Sequence, residues 1–144
     1  MANLGQVSGR RIMTPAELFD LTGKTALVTG GATGIGRMAA EGLVRAGADV
    51  MIASRSGDAC SAVASELTAL GPGRAEGFAG DVGSAGGVAA LADTVRARSQ
   101  RLHILMNNAG RAWGMPLGEF PHDAWEKVMS VNVAGLFSLT QALL

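Results

Sequence analysis

The chain has 144 residues, enough for one domain with a real core. Lysine plus arginine and aspartate plus glutamate each count 12, so the formal net charge is zero, which excludes the basic excess needed to hold a nucleic-acid backbone or an anionic membrane surface. Apolar residues make up 48% and charged residues 17%, as in a folded globular chain, and no charge-free apolar run approaches the length of a membrane span.

Residues 1–20 read as an N-terminal arm. They are polar and glycine-containing at the start, without the apolar stretch of a secretory signal. Within them, Thr14 to Phe19 suits one helical turn with Pro15 at its first position. From Lys24 onward short apolar runs alternate with helical patterns, so residues 21–144 read as one dinucleotide-binding domain. Thr25 to Val28 is a first strand, and Arg37 to Val44 continues a helix that the intervening glycines open. Asp49 to Ala53 is a second strand, and Asp58 to Leu70 a helix stopped by Gly71-Pro72-Gly73. Ala75 to Ala79 is a weak third strand. Ser84 to Ser99 follows as a helix, although Gly86 and Gly87 weaken its first turn. Leu102 to Met106 is a fourth strand, a loop runs to about Phe120, and one last helix extends from Pro121 to Leu144. The lone cysteine, Cys60, has no internal disulfide partner, and a reducing cytoplasmic setting is expected.

Strands separated by helices of this length make βαβ units and a parallel sheet. The strands lack polar alternation, as expected when helices cover both faces. Right-handed crossovers give an α/β, Rossmann-type doubly wound sheet of strand order 3-2-1-4, with a crevice between strands 1 and 4 at their carboxyl ends.

Thr29-Gly30-Gly31-Ala32-Thr33-Gly34-Ile35-Gly36 lies between a strand and a helix. Unpaired N–H groups and the dipole at a helix start favour an anion, and glycines let the backbone approach a diphosphate. Such turns also occur in methyltransferases and as plain packing devices. The tip of strand 2 narrows the choice. A ribose-binding acid is expected about 20 residues beyond the glycine turn in NAD-type sites. Here the strand ends Ala53-Ser54-Arg55-Ser56, with no acid. An arginine there suits the 2′-phosphate of NADP, with Ser54 or Ser56 adding hydroxyl donors, and NADPH is expected to bind in preference to NADH. The alternative for Arg55 is a solvated surface residue, which is also the favoured reading of Arg37. Asn107 and Asn108 either close a turn, fix strand 4 to strand 1, or touch the cofactor. Asn132, between Val131 and Val133, either kinks the last helix toward a site or sits exposed on an amphipathic face.

Thr29-Gly30-x-x-x-Gly34-x-Gly36, Asp81-Val82, Asn107-Asn108-Ala109-Gly110 and Val131-Asn132-Val133 together resemble the short-chain dehydrogenase/reductase family, over residues 20–144. Within it the chain is similar to 3-oxoacyl-carrier-protein reductases, rhamnolipid-synthesis reductases and gluconate 5-dehydrogenases. The resemblance implies NADP-dependent hydride transfer between nicotinamide and a ketone or secondary alcohol, and a homo-oligomer for the full-length form. Gly30, Thr33, Gly34, Ile35 and Gly36 would line the diphosphate and adenosine ribose. Arg55 matches the basic position of NADP-preferring members. Asp81 would accept from the adenine amino group, and Val82 would pack on its ring. Asn108, Ala109 and Gly110 would border the adenosine side. Asn132 matches the catalytic asparagine, whose helix kink holds a water of the proton relay.

The resemblance also implies a serine, tyrosine and lysine that this sequence does not supply in the family's order. There is no tyrosine anywhere, and Ser138 falls inside the final helix pattern. No glycine, asparagine or proline marks a stop after Gln141-Ala142-Leu143-Leu144. The sequence therefore reads as the cofactor-binding part of a reductase, truncated before the remaining strands and inactive alone, the alternative being a nucleotide-binding or interaction fragment. An unpaired outer edge on strand 4 is expected to cost solubility.

Overall fold

The computed structural model describes residues 13–144; the first twelve residues of the expected arm lie outside the described residues. A short helix α1 spans Pro15–Leu18. Thr14 caps it by accepting from the Glu17 amide, and the Glu17 carboxylate returns a bond to the Thr14 amide, with Pro15 at the first helical position as expected.

Strands β1 (Thr25–Thr29), β2 (Asp49–Ser54), β3 (Arg74–Ala79) and β4 (Ile104–Met106) form one parallel sheet in the order β3-β2-β1-β4. Thr25 pairs with Asp49 across β1 and β2, Asp49 with Arg74 across β2 and β3, and Ala26 with Ile104 across β1 and β4. The crossover helices are α2 (Gly34–Arg45), α3 (Gly57–Thr68) and α4 (Ala85–Arg98).

Alternate side chains of the strands leave by opposite faces, and both faces are dry. Ala26, Val28, Val50 and Ile52 pack with Ala40 and Val44 of α2 and with Val63 and Leu67 of α3. Leu27, Met51, Ala53 and Phe78 pack on the other face with Val88, Leu91 and Val95 of α4. This two-sided cover is why β1 and β2 read as unbroken apolar runs. β3 departs from that expectation. It is an edge strand, and its residues from Arg74 to Gly77 stay exposed or half-exposed. β4 is shorter than the run from Leu102 suggested, because Leu102 and His103 lead into the strand without joining the ladder. His103 still ties to β1: its N–H donates to the Thr25 carbonyl, and its Nδ1 accepts from the Thr25 amide at 3.0 Å.

The single last helix expected from Pro121 is in fact three pieces. Helix α5 (His122–Met129) runs into a wider π-helical turn (Ser130–Gly135) and then helix α6 (Leu136–Leu143). Asn132 sits inside the wide turn. Gly135 allows that turn to lie against the loop after β3, where an added Cβ would overlap the Val82 carbonyl. Leu139 of α6 is fully buried in the α4 side of the core.

Candidate functional site

The chain turns from β1 into α2 at the carboxyl rim of the sheet. Gly30 has φ +66°, a left-handed conformation that favours glycine. Its N–H donates to the Ala53 carbonyl at 2.7 Å, so this one amide is committed to β2. Thr33 precedes α2 in an extended conformation, and its side chain does not cap the helix. The contrast with the next two helices is direct. Ser56 caps α3 by accepting from the Ala59 amide, and Ser84 caps α4 by accepting from the Gly87 amide. The positive end of α2 is left without a side-chain acceptor and faces the rim. Gly34 and Ile35 open the helix, Ile35 being exposed, and Gly36 makes the close fit: a Cβ there would overlap the Gly30 carbonyl and the Asn108 amide.

The β4 side is fastened to this turn by two side chains, Thr29 and Asn108, and to α6 by a third, Asn107. Thr29 is only 2% exposed. Its hydroxyl donates to the Met106 carbonyl at 3.3 Å and accepts from the amides of Asn108 and Ala109, each at 3.1 Å. Asn108 Nδ2 donates to the carbonyls of Thr29 at 3.0 Å and Gly30 at 3.2 Å. Asn107 Nδ2 donates to Thr140 Oγ1 on α6 at 3.0 Å. Of the readings open for these asparagines, the structure shows the fixing of strand to strand and strand to helix.

Arg55 leaves β2 directly after Ser54 and makes no ion pair among the described residues. Arg37, by contrast, pairs with Glu66 of α3 at 2.6 Å and so behaves as a surface residue. Ser54 donates to the Ser56 carbonyl at 3.2 Å, and the Cys60 thiol donates to Ser54 Oγ at 3.0 Å. The Ser54 hydroxyl proton is thus spent within the turn. Ser56 is different. Its oxygen accepts from Ala59, which leaves its proton for an outside acceptor. After β3, Asp81 turns the chain by accepting from the Gly83 amide through Oδ1 at 3.0 Å, and Val82 is mostly buried.

Asn132 meets both readings: it sits in the wide turn, and it is exposed. Its Oδ1 accepts from the Arg111 amide at 2.8 Å, and its Nδ2 donates to the Arg111 carbonyl at 2.9 Å. One side-chain amide therefore clips the loop after β4 as a neighbouring strand would.

These pieces surround a cleft of about 720 Å³ along the rim. Gly30, Thr33, Arg55, Asp81, Val82, Asn108, Ala109 and Gly110 line it. Gly34, Ile35 and Gly36, which follow Thr33 in the chain, and Asn132 are not among its lining residues. Sequence reasoning missed Arg111, Lys127, Ser130 and Val131, which line the wall nearest α5. The place of Arg111 follows from its position after Gly110; that of Lys127 needed the packing of α5. Lys127 donates to Asp123 at 2.8 Å, and this bond and charge hold the Asp123 carboxyl below its ordinary pKa. The cleft's charged side chains are thus three cations and one anion, in a chain of zero net charge.

A helix start without a side-chain cap, an arginine at the tip of β2 and an acid after β3, set along one parallel rim, are joined by agreement with known proteins. The profile of the short chain dehydrogenase family matches residues 24–144. The chain belongs to this family. As a member, it is 47% identical over 126 residues to the rhamnolipids biosynthesis 3-oxoacyl-[acyl-carrier-protein] reductase of Pseudomonas aeruginosa, a match covering 88% of this chain and 48% of that protein. It is 38% identical to the D-threitol dehydrogenase of Mycolicibacterium smegmatis, over 87% of this chain and 48% of that one. Among solved structures, the RhlG/NADP active-site complex of Pseudomonas aeruginosa superposes with a TM-score of 0.84 at 45% identity, covering 91% of this chain and 50% of that chain. A 3-oxoacyl (acyl-carrier-protein) reductase from Agrobacterium tumefaciens with NADP bound gives 0.84 at 32% identity, covering 92% and 50%. The chain spans about half the length of the relatives it matches.

Proposed function

We propose that this chain is the cofactor-binding half of an NADP-dependent short-chain reductase acting on a ketone or secondary alcohol. One observation carries the reading: a helix start without a side-chain cap and Arg55, which has no ion pair among the described residues, share one cleft at the carboxyl rim of the sheet. The NADP complexes among the solved relatives support it.

In this reading the amides of Thr33, Gly34, Ile35 and Gly36 receive the diphosphate, with Gly30 shaping the approach. The Arg55 guanidinium and the Ser56 hydroxyl hold the 2′-phosphate. Asp81, with Oδ1 used by Gly83, offers Oδ2 to the adenine amino group, and Val82 closes the ring's pocket from below. Asn108, Ala109 and Gly110 form the floor where the cleft crosses β1 and β4. When bound, the nicotinamide supplies the hydride chemistry. Asn132 serves the proton relay through the backbone kink in which it sits, holding a water there, because both polar atoms of its amide are engaged by Arg111.

The chain has no tyrosine to donate the proton that this chemistry needs. Proton transfer of this kind is worth about 10²–10⁴-fold in rate. The purified 144-residue chain is expected to bind NADPH without turnover. Titration of wild type against Arg55→Ala tests the assignment. NADPH binding should weaken by about 2 kcal/mol, roughly 30-fold, and NADH binding should barely change. Equal losses for the two cofactors would remove the NADP assignment. Measurable ketone reduction by the chain free of any longer form would remove the binding-only reading.

A further inference from the structure

The cleft holds a second guanidinium that cofactor binding as described above does not use. Arg111 is exposed, lines the cleft, and makes no ion pair among the described residues. Among the described residues Arg37, Arg45, Arg96 and Arg98 each pair with a carboxylate, whereas Arg74 and Arg101 share the unpaired state of Arg111 but lie away from this cleft. Lys127 on the same wall is also engaged, by Asp123. Arg111 is held in place all the same. Asn132 bonds both its N–H and its carbonyl, at 2.8 and 2.9 Å, so the main chain that carries the guanidinium is fixed at the cleft wall. A cation whose backbone is ordered and whose charge is unmet suits recognition of a ligand anion.

Position decides which anion. Along the rim the order is Asp81 after β3, Arg55 after β2, the glycine turn after β1, and Arg111 after β4. Arg55 and Arg111 thus stand on opposite sides of the glycine turn. With the 2′-phosphate at Arg55 and the diphosphate at α2, the reacting end of the dinucleotide lies toward β4. We infer that Arg111 pairs with an anionic group, carboxylate or phosphate, on the carbonyl substrate, so that the full-length enzyme acts on an anionic ketone rather than a neutral one. The inference rests on the cofactor reading above.

The test uses the 144-residue chain saturated with NADPH, with the Arg111 Nε–H signal followed by NMR. Three probes are compared: levulinate, dihydroxyacetone phosphate, and the uncharged methyl ester of levulinate. Levulinate, dihydroxyacetone phosphate or both should shift the Arg111 signal, and which of them binds tighter identifies the anion. The ester should leave it unmoved. Arg111→Gln should weaken binding of the anionic probe at least tenfold, Arg111→Lys should restore part of it, and NADPH affinity should stay within twofold in both variants. Because the side chain makes no internal ion pair, neither variant removes a contact the fold uses. Equal binding of acid and ester, unchanged anion binding in Arg111→Gln, or a fall in NADPH affinity instead would each overturn the inference. Failure of wild type to bind NADPH at all would overturn the cofactor reading separately.

Discussion

At the scale of single residues, the site is organised by buried side chains that never need to touch a ligand. Thr29 serves one acceptor and two donors at a position almost closed to water. Thr29→Val keeps the shape of the side chain and strands the amides of Asn108 and Ala109. The expected loss is about 1–3 kcal/mol in chemical denaturation, the usual cost of unmet buried groups. A loss below a few tenths would mean that water replaces the hydroxyl. His103 gives a pH dependence of known sign. Loss of hydration, then the positive charges of Arg101 and Lys24, lower its pKa from the ordinary 6.5, and its Nδ1 must be unprotonated to accept from Thr25. A histidine with a lowered folded-state pKa stabilises the fold above its unfolded value and loses that contribution as pH falls. The stability of wild type should therefore decline as pH falls below about 6.5, and the decline should flatten in His103→Gln. Identical slopes for the two proteins would exclude His103 as the cause.

At the scale of elements, the last helix carries the instructive difference between sequence and structure. An asparagine within an apolar helical run signalled a kink or an exposed position, and the residues alone left both open. The wide turn at Ser130–Gly135 exists because Asn132 finds Arg111 on a loop 21 positions away in sequence, and because Gly135 admits the Val82 carbonyl. Asn132→Ala should release the loop after β4 while leaving α5 and α6 helical. Hydrogen exchange at the Arg111 amide should accelerate by about tenfold or more, with little change in far-ultraviolet dichroism. Unchanged protection at Arg111 would place the fastening elsewhere. The strands were easier to read. β1 and β2 lie between covered faces, so burial alone shaped their composition. The exposed edge strand β3 gave the weak signal that its position explains.

At the scale of the whole molecule, one side of the fold lacks cover. Among the described residues β4 pairs only with β1, and Trp125 at 54% and Phe137 at 63% exposure stand out on α5 and α6, with Val133 and Leu136 between them in sequence. Apolar surface of this kind and an open strand edge promote association. Sedimentation of the purified chain should show concentration-dependent self-association, reduced in a Trp125→Lys, Phe137→Lys double variant. A monodisperse monomer at high concentration would contradict this. Among the described residues no helix is long and apolar enough to cross a membrane.

The sequence by itself determined the parallel sheet, its strand order, the glycine turn and the basic residue at the tip of β2, because each depends on local periodicity, backbone freedom or position relative to a strand end. Tertiary structure alone decided what Asn107, Asn108 and Asn132 do, and that Lys127 of α5 faces the cleft. A polar side chain's role is set by which partner the fold brings within about 3 Å, and those partners lie tens of residues away along the chain.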